Sequence, residues 1–139
     1  MAGYRRIDPR VETMDRIRIL LADDNSGIRK SVIDILTPCF EVIGEVIDGQ
    51  ALVNAAIKLK PDVMILDILM PIMTGIEAAN ILRKAGVTPR MIFLTVYDDS
   101  DFVDAAFAAG ALGYVVKSRM HSDLLCAVQE VAMGRRFMS

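Results

Sequence analysis

The chain has 139 residues, 53% of them hydrophobic, with a formal net charge of -2. That fits one compact domain with a substantial core and lacks the basic balance of a nucleic-acid groove. Two cysteines without metal spacing, Cys39 and Cys126, and a single histidine, His121, exclude a thiol or imidazole metal centre and read as free thiols of a cytoplasmic protein. No apolar run reaches the ~18 residues of a membrane span, and the N-terminus lacks the apolar core of a signal peptide, so no membrane is expected.

Residues 1–15 are polar, mixed in charge and carry Pro9, which reads as a flexible arm or extension before a single domain over 16–139. From there strand and helix patterns alternate five times, the mark of βα units and a parallel sheet. The first strand spans Ile17 to Ala22. A helix follows from about Ser26, a candidate N-cap, with Ile28, Val32, Ile35 and Leu36 on one face. Strand two, Glu41 to Ile47, interleaves polar and apolar residues and suits a sheet edge. Asp48-Gly49 turns into helix two, where Leu52, Ala55, Ala56 and Leu59 recur before Pro61 stops it. Strand three is Val63 to Asp67, and Thr74 with Glu77 forms a capping-box pattern for helix three, which ends near Gly86. Strand four is Met91 to Thr95. Helix four carries Phe102, Ala105, Ala106 and Ala109 before Gly110, strand five is Leu112 to Val116, and helix five runs through Leu124, Ala127, Val128 and Val131.

Strands one, three and four are apolar throughout, as central positions require, while strand two suits an edge. This predicts a doubly wound sheet in the order 2-1-3-4-5, whose ligands bind beyond the carboxyl ends of the strands. There the central strands deliver polar side chains: Asp23 and Asp24 after strand one, Asp67 after strand three, Thr95 after strand four, Lys117 after strand five. Three crowded carboxylates repel one another unless a cation neutralises them. Hard oxygen donors with no histidine or cysteine nearby select Mg²⁺ or a similar ion, and Lys117 supplies a further positive charge. A carboxylate nucleophile at the centre organises the site for phosphoryl transfer to Asp67, with Thr95 placed to donate to the new phosphoryl group.

The motifs "LADD", "LDILMP…TG", "FLT" and "GYVVK", in this order, resemble the receiver domain of bacterial two-component response regulators over about Ile17 to Ser139. The resemblance implies a flavodoxin-like (βα)5 three-layer sandwich. It assigns Asp67 as phosphoacceptor, Asp24 as direct Mg²⁺ ligand, Asp23 as second acid, and the backbone carbonyl of Leu69 as third protein ligand. Thr95 and Lys117 match the switch hydroxyl and phosphate-binding lysine, and Tyr114 matches the aromatic whose rotamer reports phosphorylation. The segments "YVVKS" and "VQEVAMGRRFMS" resemble the NarL/FixJ (LuxR-type) subfamily, in which a linker leads to a DNA-binding domain. The sequence stops at that junction, which suits either a receiver fragment or a single-domain regulator. The implied partners are a sensor histidine kinase, a second copy on activation, and DNA only through an output domain outside this chain. No turnover of a free substrate is implied, only self-phosphotransfer and slow autodephosphorylation.

Two departures carry expectations. Val96 stands where Ala or Gly is usual in the family, and its branched side chain is expected to narrow access to Asp67. Ser118 replaces the frequent proline after the lysine, so Lys117-Ser118 is expected to be trans, because a cis bond before a non-proline costs about 2.5–4 kcal/mol. Blander readings stand beside the sharp ones: Asp23-Asp24 as a helix cap, Tyr114 as an edge-strand aromatic, and the acids at 98, 99 and 101 as N-terminal charge for helix four. A haloacid-dehalogenase-type hydrolase would need an acid at Leu69 to protonate the leaving group. A pseudo-receiver that binds partners unphosphorylated is the other alternative.

Overall fold

The computed structural model describes residues 16–139, so the expected arm over 1–15 lies outside the described residues. The strands are β1 (Arg18–Ala22), β2 (Glu41–Val46), β3 (Val63–Leu66), β4 (Arg90–Thr95), β5 (Gly113–Val116) and β6 (Phe137–Met138). The helices are α1 (Ser26–Leu36), α2 (Gly49–Leu59), α3 (Gly75–Lys84), α4 (Ser100–Ala108) and α5 (Met120–Ala132), with a short 3₁₀ turn over Lys117–Arg119. All pairings are parallel and the strand order is β2-β1-β3-β4-β5-β6.

Strand periodicity divides the core in two, because successive side chains point to opposite faces. Leu20, Met64, Leu66, Phe93 and Tyr114 face α2, α3 and α4, where Leu52, Ala56, Ala78, Leu82 and Ala106 close the layer. Ile19, Leu21, Ile65, Ile92, Leu94 and Val115 face α1 and α5, meeting Val32, Leu36, Leu124, Val128 and Val131. Burial on both faces explains the unbroken apolar runs of β1, β3 and β4. β2 has only exposed and half-buried positions and is the sheet edge.

Asp48 caps α2 by accepting from Ala51 N–H, and Thr74 with Glu77 forms the full capping box of α3. The N-cap of α1 is Asn25, which accepts from Ile28 N–H at 3.0 Å, not Ser26. Asp99 occupies the N-cap position of α4 without a side-chain cap bond, so it and Asp101 act there as charge at a helix N-terminus.

Beyond α5 the chain turns at Gly134 and returns as β6, which the apolar periodicity did not mark. Gly113 pairs with Phe137 and Tyr114 with Met138. Ser139 N–H donates to the Tyr114 carbonyl at 3.0 Å, Ser139 Oγ to Asp123 at 2.9 Å, and Arg136 lies 4.0 Å over the Phe107 ring. A two-residue strand carries too little pattern to be seen in sequence, and its anchors come from α4 and α5. Its consequence is that β5 is an interior strand, so Tyr114 is not an edge aromatic.

Candidate functional site

Asp23, Asp24, Asp67, Thr95 and Lys117 all come together beyond the carboxyl ends of β1, β3, β4 and β5. One carboxylate oxygen from each of Asp23, Asp24 and Asp67 lies within 4.8 Å of the others. Lys117 Nζ sits 2.7 Å from Asp67 Oδ2 and 2.8 Å from Asp23 Oδ2. Asp23 is 1% exposed and Asp67 8%, whereas Asp24 faces solvent. The 3₁₀ turn after β5 carries Lys117 inward at its first residue. No peptide bond among the described residues is cis, so Lys117-Ser118 is trans as expected.

The two buried carboxylates are set by main-chain bonds. Asp67 N–H donates to the Ala22 carbonyl at 3.1 Å, and Asp67 Oδ1 accepts from Ile68 N–H at 2.7 Å. Asn25 N–H donates to Asp23 Oδ1 at 2.9 Å, and Asp23 N–H to the Val46 carbonyl at 3.1 Å. With Asn25 holding the α1 cap, Asp23 and Asp24 are not needed as its caps. Burial pushes the Asp23 carboxyl above the usual carboxylate range and the Asp67 charge adds to this, against the Lys117 ammonium and the Asn25 N–H. Burial alone would lower Lys117, but its close contacts with the charges of Asp23 and Asp67 outweigh it and hold the ammonium above its ordinary range.

The donor set suits a hard divalent cation. Asp23 Oδ2 is buried, and despite its close ion-pair contact with Lys117 it makes no well-aligned hydrogen bond among the described residues. Likewise, no hydrogen bond to the Leu69 carbonyl occurs among the described residues. A cluster of three hard carboxylate oxygens is the donor chemistry a Mg²⁺ site requires.

Thr95 is fully buried at the end of β4, and Tyr97 N–H approaches its Oγ1 at 3.5 Å. Val96, one residue on, is 62% exposed. Tyr114 is 1% exposed and its hydroxyl donates to the Tyr97 carbonyl at 2.5 Å, linking β5 to the β4–α4 loop. Burial, with the negative charges of Asp99, Asp98 and Asp67, pushes its phenol up to about 12. Folding therefore gains from Tyr114 fully below the ordinary phenol range near 10, and this contribution is lost as pH rises through about 12. Alkaline titration at 295 nm is expected to show a late phenolate transition near pH 12 that Tyr114→Phe removes; a late transition that survives the substitution assigns it to another tyrosine.

The sequence reading missed two contributors. Arg29 on α1 donates to the Asp23 carbonyl at 2.8 Å and to Glu45 at 2.9 Å. Gly75, seen only as part of the "TG" pair, packs so closely on Asp67 that a Cβ would stand 2.0 Å from its carbonyl oxygen. Both act through tertiary contacts that one-dimensional spacing does not encode. Leu69, where a dehalogenase-type acid would stand, is instead a 46% exposed apolar side chain.

Comparison with known proteins identifies the family. The response regulator receiver domain family matches residues 19–129. The transcriptional regulatory protein LiaR of Bacillus subtilis is 37% identical over 120 residues, covering 85% of this chain and 57% of that protein. The nitrate/nitrite response regulator protein NarP of Escherichia coli is 37% identical over 124 residues, covering 88% of this chain and 58% of that protein. The chain thus spans little more than half the length of these curated relatives. Among solved structures, a LuxR-family two-component response regulator from Aurantimonas sp. SI85-9A1 superposes with a TM-score of 0.84 at 32% identity, covering 89% of this chain and 90% of that one. The non-phosphorylated receiver domain of RcsB from Escherichia coli gives 0.82 at 25%, covering 89% and 98%. No helix among the described residues is long and apolar enough to cross a membrane. The chain belongs to the response regulator receiver domain family, and its relatives are NarL/LuxR-type transcriptional regulators.

Proposed function

We propose that this receiver domain accepts a phosphoryl group on Asp67 from the phosphohistidine of a sensor kinase and passes the change to a partner surface. The observation that carries the reading is the buried Asp67 carboxylate held 2.7 Å from Lys117 inside a three-carboxylate cluster. An Asp67 oxygen attacks phosphorus in line as the donor's P–N bond breaks, and the leaving imidazole keeps the electron pair. Lys117 holds positive charge beside the oxygens of the transferred group, and the Thr95 hydroxyl donates to it once formed.

Asp23, Asp24, Asp67 and the Leu69 carbonyl are the residues that would hold Mg²⁺. When bound there, Mg²⁺ neutralises the carboxylates and the incoming phosphate oxygens. Val96 is the access residue of this reading, with its exposed side chain one position beyond Thr95. The chemistry is self-phosphorylation and slow self-dephosphorylation, without turnover of a free substrate, and the setting is cytoplasmic.

The new charge acts on a linked element, because Thr95, Tyr97 and Tyr114 form one connected segment. The responding surface is α4–β5–α5, whose strand edge is occupied by β6, or the α1–α5 face. A second copy of the chain would bind there on activation, and DNA would be reached through an output domain outside this chain.

Intact mass after incubation with acetyl phosphate and Mg²⁺ tests the reading. The expected result is a gain of one phosphoryl group that is lost with EDTA and forms faster in Val96→Ala. No gain in either protein overturns the phosphoacceptor role in favour of an unphosphorylated interaction module.

A further inference from the structure

Arg29 joins three pieces of the fold beside the carboxylate cluster. From α1 its Nη1 donates to the backbone carbonyl of Asp23 at 2.8 Å. Its Nε donates to Glu45 Oε1 on β2 at 2.9 Å, and the Arg29 side chain is only 18% exposed in this pair. The carbonyl it holds belongs to the peptide that joins Asp23 to Asp24. The N–H of Asp23 is fixed from the other side by the Val46 carbonyl. Asp24 is exposed, and no hydrogen bond to its carboxylate occurs among the described residues, so its placement depends on the main chain beneath it. The Arg29 ion pair is with Glu45, and among the described residues it forms none with the three clustered carboxylates.

We propose that Arg29 is a positioning residue for the divalent cation: anchored by Glu45, it sets the Asp23-Asp24 peptide and so holds two carboxylate ligands in place. This rests on the reading of the cluster as a Mg²⁺ site.

The inference has a sign opposite to that of simple electrostatics. Arg29 is a positive charge beside a cation site, so charge alone predicts that removing it tightens Mg²⁺ binding. Positioning predicts the reverse, because outer contacts that orient ligands change metal affinity by roughly 10–100-fold when lost. Lysine keeps the charge but has no planar fork to span two acceptors.

The test is Mg²⁺ titration of the ¹⁵N-labelled protein, followed through the backbone amides of residues 22–25 in wild type, Arg29→Met and Arg29→Lys. Methionine preserves the apolar stem and its packing. Both variants are expected to bind Mg²⁺ roughly tenfold or more weakly than wild type. Tighter or unchanged binding in Arg29→Met, or wild-type binding in Arg29→Lys, overturns the inference; if Arg29→Met does not fold, Arg29→Lys decides it. A wild-type protein whose amides do not respond to Mg²⁺ overturns the cation reading and this inference together. A responding wild type with unaltered variants overturns this inference alone.

Discussion

Replacing Asp67 with Asn is expected to abolish phosphoryl uptake from acetyl phosphate while leaving a protein more stable than wild type. The amide keeps the shape of the carboxylate and an oxygen that can accept from Lys117, but it is not a nucleophile toward phosphorus. Asp23 and Asp24 remain, so a surviving mass gain would move the acceptor to one of them and sink the assignment. The stability gain follows from the charge balance. Without a divalent cation the cluster holds three carboxylates, two of them buried, against the single ammonium of Lys117.

The raised Asp23 carboxyl is consistent with this balance. Its raised folded-state pKa means that its contribution favours folding below the unfolded value of 3.8 and is lost as pH rises through the folded value. Above that range Asp23 therefore no longer favours folding. Part of that shift is the charge of Asp67, which Asn removes. A gain of about 0.5–2 kcal/mol in urea unfolding without Mg²⁺ is expected, the range typical of a single stabilising substitution. It should shrink when Mg²⁺ is added, since a ligand that binds the folded state stabilises the protein that binds it better. A variant less stable than wild type in EDTA would show that the Lys117–Asp67 bond outweighs the repulsion.

The same balance explains which parts of the site were legible in the sequence. Asp23, Asp24, Asp67, Thr95 and Lys117 each end a strand or follow it by a residue or two, and a doubly wound parallel sheet brings such ends together whatever lies between. The apolar runs of β1, β3 and β4 gave the central strands, because burial on both faces leaves no room for alternation. What stayed hidden depends on contacts across the fold. β6 is too short for a period, and it owes its place to Asp123 and Phe107. Arg29 reads as one more charged residue in an amphipathic helix until β2 brings Glu45 beside it. The cap of α1 moved by one residue because Asn25 and Ser26 are both good caps, and only the backbone of the loop decides between them.

Gly75→Ala is expected to be the most destabilising single-methyl change near the site, costing about 3 kcal/mol or more, at the upper end of overpacking effects. A Cβ at this position would lie 2.0 Å from the Asp67 carbonyl oxygen, with Phe93 Cε1 at 3.1 Å. Neither neighbour is the free end of a flexible side chain. The Asp67 main chain is fixed to Ala22 on β1 by its N–H, and Gly75 N–H is fixed to the Ile68 carbonyl at 2.7 Å. Either α3 must slide outward or the end of β3 must move, and the second choice displaces the nucleophile itself. The better helix propensity of Ala offsets at most about 1 kcal/mol of this.

Gly86→Ala is the control, because Gly86 has a left-handed φ of 78° but nothing within 4 Å of an added Cβ. It measures backbone strain without collision and is expected to cost about 1–2 kcal/mol. Urea midpoints for the two variants separate the effects. If Gly75→Ala unfolds with wild type, α3 does not press on Asp67. If it unfolds early and its surviving folded fraction also takes up phosphate more slowly than Gly86→Ala, then the contact that supports α3 also sets the acceptor carboxylate.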